Sequence, residues 1–292
     1  MKLLSIPLFL FAVLAVVGCG DGDTTSPSSP LLFSAIPDQD ETRLREKFEP
    51  IARYLEQKLG VPVRYVHATS YPDAVELFKN GDIHLAWFGG LSGVQARHQV
   101  PGARAIAQGE ADPEFFSYFI AHRDSGIQPG EAFPTDLAGK TFTFGSNSST
   151  SGRLMPEFFI RKFAKSSPND LFSRIGFSGS HDKTAELVES GSFDVGALNY
   201  KVYERRVQSG QTDPNICRVI WKTPVYPDYN FTAHPELEKR FGEGFIDRLQ
   251  KALLSMDDPA LLSAFPRNRM IPASNEDYDP IHQLAEDLQF IQ

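Results

Sequence analysis

The chain has 292 residues, with 29 Lys and Arg against 37 Asp and Glu, a formal net charge of −8 at pH 7 and a pI near 5.4. That acidic balance argues against nucleic acid as a partner, because a phosphate backbone needs a basic surface. The length suits two domains or one large one, and two cysteines are too few for a disulfide-stapled scaffold.

The N-terminal run MKLLSIPLFLFAVLAVVGCG puts one Lys before an apolar stretch too short to span a bilayer comfortably, followed by small residues. Val16-Val17-Gly18-Cys19 resembles the lipobox of bacterial lipoproteins. The resemblance implies a signal peptide over 1–18, cleavage before Cys19 and a lipid on the Cys19 sulfur; an ordinary secretory signal or a single anchor helix are the alternatives. Residues 19–30, rich in Gly, Ser, Thr and Pro, read as a flexible tether. No other segment is apolar enough to cross a membrane. Cys217, inside the apolar run Ile216 to Trp221, reads as a buried core residue, and with Cys19 lipidated no internal disulfide is available.

From Leu31 short apolar runs alternate with helical periodicity. Strands are predicted at 31–36, 61–66, 83–88, 103–107 and 115–122. Helices are predicted at 41–59, with Leu44, Phe48, Ile51, Tyr54 and Leu55 on one face, and at 72–79. Residues 123–140 are rich in turn formers and interrupt the rhythm. It restarts with strands at 141–145, 172–177, 193–198 and 218–221 and helices at 154–164, 183–189 and 200–208. Residues 223–234 read as a connection, and helices over roughly 235–255 and 276–292 close the chain. No internal sequence repeat is visible. The βαβα rhythm implies α/β architecture, and the restart implies two lobes with a cleft suited to a small ligand.

The most marked segment is TFTFGSNSSTSGRLMPEFF, residues 141–159: a strand, then seven small residues between Phe144 and Gly152, then an apolar helical run. A helix N-terminus presents unpaired N–H groups and a partial positive charge, and Ser and Thr add short donors, so this is a cradle of phosphate size. A polar loop with a good N-cap is the plainer alternative. The segment is not a Walker A loop, since Arg153 and Leu154 follow Gly152. GFSGS at 176–180 has Ser where a nucleophile elbow needs its last Gly. Pro156 implies either that the helix starts close to Gly152 or that its first turn is irregular.

SSTSGRLMP (148–156), GSHDKTAELVESGSFDVGALNYKVYER (179–205), SYPDAVELFKNGDIHLAWFGGLS (70–92) and PDYNFTAH (227–234) are together similar to the phosphate/phosphite/phosphonate-binding proteins of ABC importers. The four segments run in that family's order, and part of the group is described as selenate-binding. The resemblance implies a two-lobed periplasmic-binding fold of type II, each lobe a mixed, mostly parallel sheet flanked by helices, with two crossover strands as a hinge. The restart of the rhythm, with the final helices packing on the first lobe, divides the chain into 31–122 plus 229–292 as lobe 1 and 123–228 as lobe 2, with crossovers near 119–126 and 222–230.

By the same resemblance Ser149, Thr150 and Ser151 form the anion clamp, His181 binds the ligand, Tyr71 contacts it at the start of a helix, and an aromatic at Trp87 or Phe88 walls the site. Asp228 stands where the family places an acid near the ligand. Asn199, following a strand, would face the cleft, while Asp194 would serve the fold. Each has a bland alternative: a structural His, a helix-start Tyr packed on the sheet, a core ring, a turn acid after Pro227. The other histidines show no metal spacing, so neither metal nor cofactor is expected.

The implied protein is a monomeric, lipid-anchored periplasmic or cell-surface binder. It captures a small tetrahedral oxyanion and hands it to a permease and ATPase, touching the membrane only through its lipid. An acid facing the ligand favours species with their own proton, such as phosphite, phosphonates and monohydrogen phosphate. If Asp228 turns away, selenate or sulfate gains. A sensor-input domain of the same fold and an enzyme acting on phosphoesters are the rival classes, and no nucleophile–base pair supports the latter.

Overall fold

The computed structural model describes residues 29–291, so the leader, Cys19 and the tether through residue 28 lie outside the described residues. The strands are β1 (Leu31–Ala35), β2 (Val63–Tyr65), β3 (Leu85–Phe88), β4 (Arg104–Gly109), β5 (Ser117–His122), β6 (Thr141–Phe144), β7 (Arg174–Phe177), β8 (Val195–Asn199), β9 (Cys217–Lys222), β10 (Asn230–Ala233) and β11 (Met270–Pro272). Between them run the helices α1 (Glu41–Leu59), α2 (Tyr71–Lys79), α3 (Gly90–Gln99), α4 (Met155–Ala164), α5 (Pro168–Leu171), α6 (His181–Glu189) and α7 (Tyr200–Gln208). The C-terminal helices are α8 (Glu236–Phe241), α9 (Phe245–Leu254), α10 (Pro259–Leu262) and α11 (Asp279–Asp287). Among the described residues no helix is long and apolar enough to cross a membrane.

Local chemistry sets the element ends. The Asp40 carboxylate caps the Arg43 N–H at the start of α1, and Gly60 ends that helix at a φ of +69°, a left-handed conformation that favours glycine. Ser70 and Ser180 cap α2 and α6 in the same way. The C-terminal run expected as one helix breaks at Gly242 and Gly244, whose φ values of +90° and +76° no helix accommodates. Likewise the last helix is shorter than expected, beginning at Asp279 after a single 3-10 turn.

The strands form two mixed sheets, in the orders β11-β4-β10-β3-β1-β2 and β7-β6-β8-β5-β9. In the first, β1 pairs parallel with β2 and β3, and β10 lies antiparallel between β3 and β4. In the second, β6 pairs parallel with β7 and β8, and β5 lies antiparallel between β8 and β9. The two sheets thus share one plan, and in each the strand that arrives from the other half takes the same antiparallel place. Aromatic residues dominate the cores: Phe33, Phe48 and Phe231 meet within the first half, and Phe119, Phe142 and Trp221 within the second. Cys217 is buried with a free thiol. Asp194 serves the fold, accepting from the Thr141 N–H and hydroxyl, each at 2.8 Å.

Three expectations change. Strand β10 lies within 223–234, read above as a connection; four residues are too short for periodicity to reveal, and its pairing is supplied by β3 and β4 on either side. Helix α3 follows β3 directly from Gly90 and was not anticipated, since glycines and polar residues give it almost no amphipathic signal. The first passage between sheets is at 110–116, not 119–126, because β5 already hydrogen-bonds in the second sheet. A lobe boundary at 122 therefore falls beyond a strand of the other half.

The two passages, 110–116 and 223–229, are tied to each other. Phe115 and Tyr226 exchange backbone hydrogen bonds of 3.0 and 2.9 Å, and the Asp228 N–H donates to the Asp112 carbonyl at 3.0 Å. Asp112, fully buried, accepts from the Gly109 N–H (2.7 Å) and from Arg267 Nε (3.0 Å), and Arg267 is itself 6% exposed. Gly109 must be glycine here, because a Cβ would stand 2.3 Å from Arg267 Cγ. Removing one partner of a buried ion pair strands the other's charge, at a cost of about 3–5 kcal/mol. Arg267→Ala is therefore expected to lower the unfolding free energy in urea by that amount; an unchanged midpoint would show that the pair does not hold the passages.

Candidate functional site

The hydroxyl-rich loop is shaped by two glycines and one proline. Residues Thr150–Leu154 form a wide π-turn that opens α4, with the Leu154 N–H bonded to the Ser149 carbonyl at 3.0 Å. Pro156 has no N–H, so the Gly152 carbonyl four residues back is left out of the helix ladder. It accepts instead from the Gly145 N–H at 2.8 Å. This closure brings the two glycines together: a Cβ on Gly152 would sit 3.1 Å from Gly145 Cα. The glycines thus serve the loop's own closure. The Ser149 hydroxyl caps the turn, accepting from the Gly152 N–H at 2.9 Å.

Around this loop the first turns of α2, α3, α6 and α7 meet, each at the carboxyl end of its sheet. Thr150 Oγ1 donates to Asp228 Oδ1 at 2.7 Å and accepts from the Leu91 N–H at 3.0 Å. The Gly90 N–H donates to the same carboxyl oxygen at 2.8 Å. Asp228 is thereby held jointly by both halves of the molecule. Its other oxygen, Oδ2, is buried and has no hydrogen-bond partner. Ser151 Oγ and Tyr71 Oη each lie 3.5 Å from His181 Nε2. His181 Nδ1 accepts from the Asn199 N–H at 3.4 Å, which assigns the ring proton to Nε2 and makes that nitrogen a donor. Asn199 also caps α7, accepting from the Lys201 and Val202 N–H groups, and donates from Nδ2 to Tyr229 Oη at 3.0 Å.

The cluster is uncharged except at one point. Ser149, Thr150, Ser151, Tyr71, His181, Asn199 and Asp228 are all buried. Burial lowers the His181 imidazole to about 4, so at pH 7 it is neutral. Burial, with the Asp38 and Asp228 carboxyls nearby, holds the Tyr71 phenol well above its ordinary value. Burial likewise raises Asp228 to about 7, opposed by the Gly90 N–H and the Thr150 hydroxyl. Arg153, the loop's only cation, is committed elsewhere: it pairs with Glu157 at 2.5 Å and lies over the rings of Phe144, Phe177 and Phe290. The arrangement can hold a compact anion by neutral dipoles and present it with one titratable oxygen.

Of the residues singled out in the sequence, Ser149, Thr150, Ser151, Tyr71, His181, Asn199 and Asp228 come together. The two aromatic candidates separate. Trp87 stacks on Tyr229 (5.4 Å, 20°) and lines a cavity of about 30 Å³ with Asp38, Asn199 and Tyr229. Phe88 points to the opposite face and packs on Phe78 in the core, as alternation along β3 requires. Sequence reasoning missed the Gly90 and Leu91 N–H groups, although Gly89-Gly90 after a strand was a visible signal for a helix start. It also missed Asp38 and Tyr229, which carry no local signature.

A family profile described as "ABC transporter, phosphonate, periplasmic substrate-binding protein" matches residues 33–278. The chain is 38% identical over 268 residues to a probable ABC transporter phosphite binding protein, PhnD1, of Prochlorococcus marinus, covering 89% of this chain and 90% of that one. It is 26% identical over 290 residues to a phosphate-import protein of Mycolicibacterium smegmatis, covering 90% and 88%. The structure of the Prochlorococcus PhnD1 in complex with methylphosphonate superimposes with a TM-score of 0.86, covering 91% of this chain and 100% of that chain. A profile spanning both sheets and an identity sustained along nearly the whole chain admit one conclusion: this protein belongs to the periplasmic substrate-binding proteins of phosphonate ABC transporters.

Proposed function

We propose that the chain captures a small tetrahedral phosphorus oxyanion that carries its own proton (phosphite, a phosphonate or monohydrogen phosphate) and delivers it to the permease of an ABC importer. Ser149, Ser151, Tyr71, His181 and the Thr150 backbone N–H supply donors to its oxygens, while the Thr150 hydroxyl holds Asp228 in place to receive its P–OH. Asn199 positions His181. The observation that carries this reading is the orphaned Asp228 Oδ2, buried beside donors from both halves. A buried acceptor without a donor costs about 1–3 kcal/mol, more when charged, and a P–OH removes that cost. Above pH 7, where Asp228 is ionised, sulfate and selenate bring no proton and meet a carboxylate instead. Relatives whose names specify phosphite and phosphate, and the methylphosphonate complex, support the same ligand class. The ligand would bridge the halves and so favour their closed arrangement, the state a permease reads. In this reading the protein binds without turnover, acts as a monomer and is tethered through a lipid on Cys19.

Calorimetry with phosphate, phosphite, methylphosphonate, aminoethylphosphonate, sulfate, selenate and molybdate tests the site. The paired variant Ser149→Ala/Thr150→Val removes the turn's cap and a donor shared between the halves. It is expected to lose about 10- to 100-fold or more in affinity, from 1.5–3 kcal/mol for each hydrogen bond to a charged group. Wild-type affinity in that variant would mean the anion sits elsewhere. Asp228→Asn is expected to weaken phosphite and methylphosphonate while admitting sulfate and selenate at pH 8; equal exclusion of sulfate by both proteins would remove Asp228 from the selectivity.

The same carboxyl gives ligand-free stability a pH dependence. Its folded-state value of about 7 exceeds its ordinary 3.8, so the folded protein retains a proton that the unfolded chain gives up. The resulting stabilisation is whole below about pH 4, declines as pH rises and is gone above about pH 7. The total is on the order of 4 kcal/mol, at about 1.4 kcal/mol per pKa unit. Asp228→Asn is expected to match wild type in melting temperature near pH 4 and to exceed it increasingly up to pH 7–8; a constant difference would place the titration elsewhere.

A further inference from the structure

Each half of the molecule presents a preassembled pair of polar groups to the other. In the first half, Tyr229 Oη donates its proton to Asp38 Oδ2 at 2.9 Å. That commitment leaves the Tyr229 oxygen as an acceptor, and the Asp38 backbone carbonyl is a second acceptor beside it. In the second half, the Asn199 N–H bonds to His181 Nδ1, and two donors remain: Asn199 Nδ2 and the His181 backbone N–H. The pairs match. Asn199 Nδ2 donates to Tyr229 Oη at 3.0 Å, and the His181 N–H donates to the Asp38 carbonyl at 3.2 Å. Asp38, Tyr229, Asn199 and His181 thus close one hydrogen-bonded ring, with two bonds inside the halves and two across them. All four are buried. The Asp38 carboxyl is held in turn by Gln39, which donates from Nε2 at 3.2 Å and accepts from Lys47. Tyr229 is fixed by its stack on Trp87.

We propose that Asp38 and Tyr229 are positioning residues that lock the closed, ligand-holding arrangement. They touch no ligand themselves but clamp His181 and Asn199 from the opposite half, and so keep His181 Nε2 aimed beside Ser151 and Tyr71. Asp38 acts through Tyr229: by taking the phenol proton it fixes the oxygen as an acceptor for Asn199. The lock rests on the proposed oxyanion site, because it has a purpose only if a ligand is held at His181.

The test is stopped-flow and calorimetric binding of phosphite and methylphosphonate to wild type, Tyr229→Phe, Asp38→Ala and the double variant, with melting temperatures of the ligand-free proteins. Tyr229→Phe keeps the ring stacked on Trp87 and removes only the hydroxyl. It is expected to release ligand about tenfold faster, the size of one well-made hydrogen bond. Association rate and preference for phosphite over sulfate should stay unchanged, while the ligand-free melting temperature falls through loss of the Tyr229–Asp38 bond inside one half. The double variant should be no worse than the weaker single one, because both remove the same link. A merely structural role would lower the melting temperature and leave the release rate at its wild-type value. Either that unchanged release rate in Tyr229→Phe or full additivity would overturn the proposal. Failure of wild type to bind any phosphorus oxyanion would overturn the function proposed above, which keeps the two failures distinct.

Discussion

One carboxyl oxygen joins the two halves of this protein. Asp228 Oδ1 accepts from the Gly90 N–H at the start of α3 and from Thr150 in the second half, and Thr150 accepts in turn from Leu91. A charge in such a place is costly unless donors surround it. The molecule supplies them from helix N-termini, whose unpaired N–H groups and dipoles favour negative charge. The rest of the arrangement follows: short β-strands ending at one edge, helices starting there, and two chain passages pinned to each other so that these ends stay in register.

The pinning explains why the sheets share a plan that the sequence does not display. In each sheet an antiparallel strand arrives from the other half and lies in the same place, β10 in one and β5 in the other. Yet no residue pattern repeats. β10 (Asn230–Ala233), buried throughout, sets Asn230 and Thr232 between apolar neighbours and is too short to announce itself. Pairing partners, not local preference, make it a strand. The alternation of halves was legible because Gly60, the turn-rich residues 123–140 and the helical faces of α1 and α4 are local signals. The position of the first passage was not legible, because β5 reads alike whichever sheet it joins.

The site was legible to the extent that chemistry was concentrated in sequence. Seven small residues between Phe144 and Gly152 suggest a helix-start cradle, with a capped polar loop as the alternative. His181 and Asp228 could be placed beside it only through resemblance, since each stands alone in its segment. The structure adds a reason for details that spacing left open. Pro156 withholds one donor from the helix, and the Gly152 carbonyl so freed closes the loop on Gly145. Trp87 and Phe88 divide between cleft and core because adjacent strand residues face opposite ways. Asp38 and Tyr229, 191 positions apart, gave no sign of their partnership until the fold joined them.

The commitment of Arg153 to Glu157 and three aromatic rings leaves no cation around Thr150, only neutral groups and the Asp228 carboxyl. Ionic strength weakens contacts between exposed charges but scarcely reaches buried dipoles. The chain as a whole, at −8, would repel the anions proposed as its ligands. Salinity would then act on the two phases of capture in unequal measure, easing the approach of a like-charged solute while leaving the grip on it nearly untouched.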